Sequence, residues 1–238
     1  MTGPAEFDQY AADYDASVAH GLAVTGESKD FFAAGRAKWL HRRLQQRNAQ
    51  PHNVLDFGCG IGSATPHLLA IPGIRSVTGI DVSEASIEQA RSLHAGSAAT
   101  FASVAEFTPD GSFDLAYCSG VFHHIPVGAR AAAVQTVYDS LRPGGLFAFC
   151  EHNPWNPGTR WVMSRIEFDR DAVLVWPRQA RRMVEAAGFR VLRTDFLFVF
   201  PHPLAALRPL EQFLVRLPLG GQYMMICEKV PSAPAAAR

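Results

Sequence analysis

Val54-Leu55-Asp56-Phe57-Gly58-Cys59-Gly60-Ile61-Gly62 is the stretch that decides the fold, with Ile80-Asp81 answering it at the end of a second apolar run. Val54 to Phe57 is short and apolar enough to be a buried parallel strand. The three glycines make a turn without side chains, so the backbone can press against a ligand. A helix is expected from Ser63, which would cap it, with Pro66 tolerated in the first turn. Its N–H groups and positive dipole end point into the same crevice. Asp81 lies 21 positions after Gly60, at the tip of the expected second strand. A carboxylate there accepts both hydroxyls of a ribose. The pattern implies a nucleoside pocket.

A dinucleotide fold uses G-x-G-x-x-G, whose third glycine permits close helix–strand packing. Here that sixth position is Ser63, and the glycines read G-x-G-x-G. Asp56, two residues before the first glycine, would repel a pyrophosphate but suits the amino group and sulfonium end of S-adenosylmethionine. The run D-F-G-C-G-I-G resembles the first motif of the class I S-adenosylmethionine-dependent methyltransferases, and G-I-D-V-S resembles their second.

Three further segments carry the same resemblance. Ser112 to Gly120 looks like the family's fourth strand, introduced by D-G-S-F-D. Val121-Phe122-His123-His124-Ile125-Pro126 resembles the segment lining the methyl-transfer site, and Leu141-Arg142-Pro143-Gly144-Gly145 resembles the turn into strand five, Leu146 to Cys150. The resemblance is close from Val54 to Glu151 and looser to Lys229. It implies a Rossmann-like α/β fold with a seven-stranded, mostly parallel sheet in the order 3-2-1-4-5-7-6, its last strand antiparallel. It further implies that Asp56, Gly58, Cys59, Gly60 and Gly62 hold the methionine end and Asp81 the ribose. Val82, Ser103 and Val104 fall in the adenine region, and Ser119 joins the set at the end of strand four. The acidic residue that many members carry after strand three is missing from Phe101-Ala102-Ser103-Val104-Ala105, so Ser103 or a backbone carbonyl would take its place.

The rest of the chain alternates strand and helix, which demands a parallel sheet with helices on both faces. Ligands in such sheets bind beyond the carboxyl ends of the strands. Residues 1–230 are read as one methyltransferase domain, with 1–50 as an N-terminal helical lid and 231–238, rich in alanine and proline, as a flexible tail. Two inserts, 151–176 and 200–219, are expected to roof the pocket. The first holds no clean period and is too long for an idle connection. Pro177 opens a helix closed by Gly188, Phe189–Leu197 reads as strand six, and Gln222–Cys227 as strand seven.

With 22 basic and 22 acidic residues, there is no electrostatic footprint for nucleic acid. No 18-residue apolar run suggests a membrane span, and a cytoplasmic protein is expected, monomeric or homodimeric. Cys59, Cys118, Cys150 and Cys227 lack metal or redox spacing, so no metal site is expected.

Methyl transfer from a sulfonium is an in-line displacement in which the cofactor supplies the hard chemistry. A base is needed only where the acceptor must lose a proton. His124 is the first candidate, with His123 behind it, since both follow strand four and imidazole titrates near working pH. Glu151 and His152 close strand five and face the same crevice; Glu151 can orient an amine or a histidine, or cap a loop. Tyr10 and Tyr14 lie in an aromatic-acidic segment resembling the family's N-terminal lid, where a tyrosine closes over the methionine part. Arg36 is a candidate partner for the cofactor carboxylate, and Trp155, Trp161 and Phe168 for the acceptor wall. The reading is methyl transfer to O or N of a small molecule. A non-catalytic S-adenosylmethionine-binding module, an NAD-dependent oxidoreductase and a protein methyltransferase, which would favour an open groove over a roofed cavity, are the alternatives.

Overall fold

The structure is a computed structural model that describes residues 25–166 and 172–230. After helix α1 (Lys29–Gln46) the chain enters a βα alternation: β1 (Asn53–Phe57), α2 (Thr65–Leu69), β2 (Ser76–Asp81), α3 (Glu84–Leu93), β3 (Ala99–Ser103) and β4 (Phe113–Ser119). It continues through α4 (Arg130–Ser140), β5 (Leu141–His152), α5 (Pro157–Met163), α6 (Pro177–Ala186) and β6 (Phe189–Leu197). A 3-10 helix (His202–Leu210), the short α7 (Glu211–Leu214) and β7 (Gln222–Lys229) complete it.

The seven strands form one sheet in the order β3-β2-β1-β4-β5-β7-β6. β1 pairs in parallel with β2 and β4, and β7 runs antiparallel between β5 and β6. This is the order and the strand direction that the resemblance implied.

Strand side chains alternate between faces, and the sheet has a core on each. Leu55, Phe57, Cys118 and Phe149 pack with Val134 and Val137 of α4 and Val184 of α6. Val54, Tyr117, Ala148 and Cys150 pack with Ala37, Leu40 and Leu44 of α1 and Leu68 of α2. Asp56 shares its face with Val54, so its carboxylate is turned toward α1. That parity fixes what it meets.

Several boundaries differ from the sequence expectation. Ser63 caps nothing: α2 follows Ala64 and has no side-chain cap, although Pro66 does sit in its first turn. Gly58, Gly60 and Gly62 all have positive φ, which keeps the chain out of the right-handed helical region until that point. β5 is longer than Leu146–Cys150 because Glu151 and His152 pair with Tyr223 and Gln222 of β7. The stretch after it is not all irregular, since Asn156 caps α5 through the Thr159 N–H. Phe189–Leu197 is the strand expected, and β7 begins at Gln222 as read.

The second insert buttresses α1. Phe198, just before it, packs against Phe31 at 6.0 Å and Phe32 at 5.0 Å, and Arg42 donates to Gln212 at 3.1 Å. Glu211 accepts the Val199 and Phe200 N–H groups at 2.9 and 2.8 Å, and Arg208 pairs with Glu27. Among the described residues no helix is long and apolar enough to cross a membrane.

Candidate active site

The carboxyl ends of β1, β2, β4 and β5 open into a cavity of about 610 Å³. α1 closes one side through Phe32, Ala33 and Arg36, and the segment around α5 adds Val162 and Ile166. The glycine turn lies at its centre. Gly58 and Cys59 donate their N–H groups to the Ile80 carbonyl at 2.8 and 3.0 Å, which fastens the turn to β2. Gly60 donates to Asp81 Oδ2 at 2.8 Å, while Asp81 Oδ1 accepts from Ser83 N at 3.0 Å. Asp81 therefore shapes the turn as well as presenting a carboxylate to the cavity. A Cβ on Gly60 would meet no atom within 4 Å, whereas one on Gly58 would lie 2.4 Å from Val121 and one on Gly62 2.7 Å from His94. Gly60 leaves room for a ligand; the other two leave room for the protein itself.

Asp56 is buried at 2% exposure, and its Oδ2 has no hydrogen-bond partner among the described residues. Burial, reinforced by the nearby Asp81 charge and opposed by Arg36, pushes its carboxyl up to about 7. An unpartnered buried oxygen is costly, and a cationic donor in the cavity would satisfy it. Arg36 reaches across from α1, donating from Nε to the Tyr117 hydroxyl at 3.0 Å and from Nη1 to Gln222 at 3.0 Å. It links α1 to β4 and β7 beside Asp56. The orphaned Asp56 oxygen, the space at Gly60 and the Asp81 carboxylate together fit the methionine and ribose parts of S-adenosylmethionine.

At the β4–β5 side stand three imidazoles and one carboxylate. His123 Nδ1 lies 2.8 Å from Glu151 Oε2, with side-chain exposures of 2% and 0%. Glu151 Oε1 accepts the Phe122 N–H at 2.7 Å, and Oε2 accepts the His152 N–H at 3.2 Å. Burial pushes the Glu151 carboxyl up, but the charge and hydrogen bond of His123, helped by His152, reverse this and bring it to about 2. The His124 ring centroid lies 4.0 Å from that of His123, and the His152 centroid 5.0 Å. The loop is stapled from outside. Val173 N donates to the His123 carbonyl at 3.0 Å, and Arg130 donates to the carbonyls of Val173 at 2.6 Å and Ile125 at 2.9 Å.

Most residues singled out from sequence reach one wall. Asp56, Gly58, Cys59, Gly60, Asp81, Val82, Val104, Ser119, Arg36, His123, His124, Glu151 and His152 all line the cavity. Gly62 and Ser103 stand behind it; Ser103 Oγ is buried and without a partner among the described residues. Tyr10, Tyr14 and Phe168 lie outside the described residues. Trp155 instead meets Trp176 edge-on and Phe196 at a tilt, and Trp161 carries the Arg165 guanidinium on its ring; neither lines the cavity. The described residues of the second insert contribute nothing to the wall. Sequence reasoning missed Lys29, Gln222 and the alanines Ala129, Ala132 and Ala133 of the α4 region, which do line it. No motif marks them.

Residues 32–194 match the family described as a methyltransferase domain. Trans-aconitate 2-methyltransferase of Methylobacterium nodulans is 33% identical over 148 residues, covering 62% of this chain and 54% of the relative. The O-methyltransferase resE of Aspergillus sclerotiorum is 34% identical over 107 residues, covering 42% and 39%. The chain thus spans about half the length, or less, of these curated relatives. A solved S-adenosylmethionine-dependent methyltransferase from Mesorhizobium loti shares the fold with a TM-score of 0.54 at 23% identity, covering 81% of this chain and 97% of that one. The match runs from Phe32, four residues before Arg36, to Thr194 in β6, and the chain belongs to the methyltransferase-domain family.

Proposed function

We propose that the chain is an S-adenosylmethionine-dependent methyltransferase acting on an oxygen or nitrogen of a small-molecule acceptor. One observation carries the reading: a single cavity is walled by the glycine turn, by Asp56 and Asp81, and by the His123–Glu151 cluster. Bound there, the cofactor supplies an electrophilic methyl group. Asp56 holds the amino end and Asp81 the ribose, while Val82 and Val104 flank the base. Arg36 stands beside the carboxylate end. The chain's task is then to align the acceptor and exclude water, and orientation alone is worth roughly 7–11 kcal/mol. The family membership, and relatives named as methyltransferases of small molecules, support this reading. α1 and the segment around α5 are the cover that selects the acceptor.

Incubation with S-adenosylmethionine and a panel of small phenols, amines and acids tests it. A product one methylene heavier, formed together with S-adenosylhomocysteine, supports it. Cofactor binding without transfer to any acceptor would favour a binding module.

A further inference from the structure

We infer that His94, which stands outside the cofactor cavity, is a positioning residue for the glycine turn: its ring holds the Ile61–Gly62 peptide and thereby sets how tightly S-adenosylmethionine binds. The inference rests on the methyltransferase reading, in which that turn receives the methionine end. It goes beyond that reading by adding a residue that lines no part of the cofactor cavity.

A turn of three left-handed glycines makes room for a ligand but is not stiff, since glycine loses more freedom on ordering than any other residue. Something must hold it. β2 holds the first half, where Ile80 and Asp81 accept the N–H groups of Gly58, Cys59 and Gly60. The second half is held from the other side. His94 ends α3, and its Nε2 lies 3.3 Å from the Ile61 carbonyl oxygen. A carbonyl only accepts, so Nε2 carries the proton and donates. The Gly62 N–H of the same peptide group donates to the Cys59 carbonyl at 2.9 Å. The peptide plane is therefore gripped at both polar ends. Gly62 in turn accepts the Thr65 N–H at 3.0 Å, so the grip falls where the turn becomes α2.

Packing makes the ring a fixed stop. It lies 5.5 Å from the Phe101 ring of β3, and Phe101 packs with Cys59, Ile87 and Ala90. A Cβ at Gly62 would lie 2.7 Å from Nε2, so the imidazole fills the space that any other residue there would claim. Ile61 lines the cofactor cavity. The His94 ring faces instead a second cavity of about 300 Å³, shared with Arg91, Gly96 and Thr100 beside the edge strand β3. His94 thus joins an outer recess to the wall of the cofactor site, with one peptide group between. At 3.3 Å its hydrogen bond is a long one, so the effect to expect is several-fold and not orders of magnitude.

Calorimetry with S-adenosylhomocysteine on the full chain tests this, using His94→Leu, His94→Gln and His94→Ala. Leucine keeps the bulk and removes the donor, and should weaken binding about three- to tenfold. Glutamine returns an N–H near the same carbonyl and should recover most of the loss. Alanine opens the place of the ring to the second cavity. Free imidazole added to that variant should tighten its binding while leaving the wild type unchanged. Wild-type affinity in His94→Leu overturns the assignment. So does a loss that neither glutamine nor imidazole reverses, which would mark the ring as packing alone. NMR of the nitrogen-labelled wild type adds a readout that no folding defect can blur. The neutral His94 ring should be the Nε2–H tautomer, and an Nδ1–H tautomer overturns the role. A wild type that binds S-adenosylhomocysteine no better than His94→Leu sinks only this role, whereas a wild type that does not bind it at all sinks the methyltransferase reading as well.

Discussion

Gly60 donates its backbone N–H to the Asp81 carboxylate at 2.8 Å, so the acidic tip of β2 and the glycine turn are one unit across 21 residues. Asp81→Ala removes the acceptor of both the Gly60 and Ser83 N–H groups. It should lower the stability of the ligand-free protein by about 1–3 kcal/mol, the scale for losing hydrogen bonds to a charged group. It should also weaken S-adenosylmethionine severely. Urea unfolding without ligand checks the first part; an unchanged midpoint would show that the turn holds itself.

Gly58 and Gly60 should fail differently as alanine. Both have positive φ, which costs a residue with a Cβ about 1–2 kcal/mol. The Gly58 methyl would also strike Val121 at 2.4 Å, while the Gly60 methyl enters open cavity. Gly60→Ala should fold and bind S-adenosylhomocysteine at least about tenfold more weakly, a loss of about 1.4 kcal/mol. Gly58→Ala should be the less stable of the two in a thermal melt. Equal melting points with equal affinity would contradict the division.

Cofactor affinity should rise with pH through neutrality. The Asp56 carboxyl is raised from 3.8 to about 7, so below that pH it is largely protonated and cannot pair with an ammonium. For the ligand-free protein the sign is opposite. A raised folded value makes the native state hold the proton more tightly, so this group's contribution to stability declines as pH climbs from 3.8 to about 7. Calorimetry at about pH 6 and about pH 8 should show the stronger binding at the higher value, and Asp56→Asn should flatten the difference. Affinity independent of pH in the wild type would remove Asp56 from the amino contact.

Glu151 gives the reverse window. Its folded value of about 2 lies below the ordinary 4.5 of a glutamate, so its contribution is complete above 4.5 and is lost as pH falls toward 2. Glu151→Gln should therefore show a shallower acid-denaturation curve than wild type in that interval. Identical curves would mean that the carboxylate is not held by His123.

On the α1 side, Arg43 Nε meets Asp195 Oδ2 of β6 at 2.7 Å, with side chains 8% and 1% exposed. Arg43→Met should cost about 3 kcal/mol, because breaking a buried pair strands a charge. Trp39 and Arg193 still donate to Asp195, which keeps the figure at the low end. Adding Asp195→Leu should recover part of the loss. A double variant as unstable as the sum of its singles would show that the two residues are not coupled.

The centre of the sheet was legible because β1, β2 and β4 are short apolar runs each ended by a glycine turn or an acid, a local signal that survives without partners. Boundaries slipped where partners decide them. β5 runs on through Glu151 and His152 only because β7 pairs there, and Ser63 misled because three left-handed glycines delay the helix. The cavity residues after β1, β2 and β4 were legible from the rule that ligands sit at the carboxyl edge. Their pairings were not. His123 and Glu151 lie 28 residues apart, and the sequence names both as candidates, with Glu151 able to orient a histidine, but not that His123 is the one it meets. Arg36 was visible only as one arginine on a helix, and its reach to Tyr117 and Gln222 depends on how α1 crosses the sheet. The second insert was expected to help roof the pocket, yet it and Phe198 just before it pack against α1 instead.

The glycine turn, Asp56 and Asp81 are proposed to hold S-adenosylmethionine. Isothermal calorimetry with S-adenosylmethionine, S-adenosylhomocysteine and NADH in parallel tests it most directly. Micromolar binding of the two sulfur ligands and none of NADH is the expected result. Binding of NADH alone, or silence from both sulfur ligands, would contradict it.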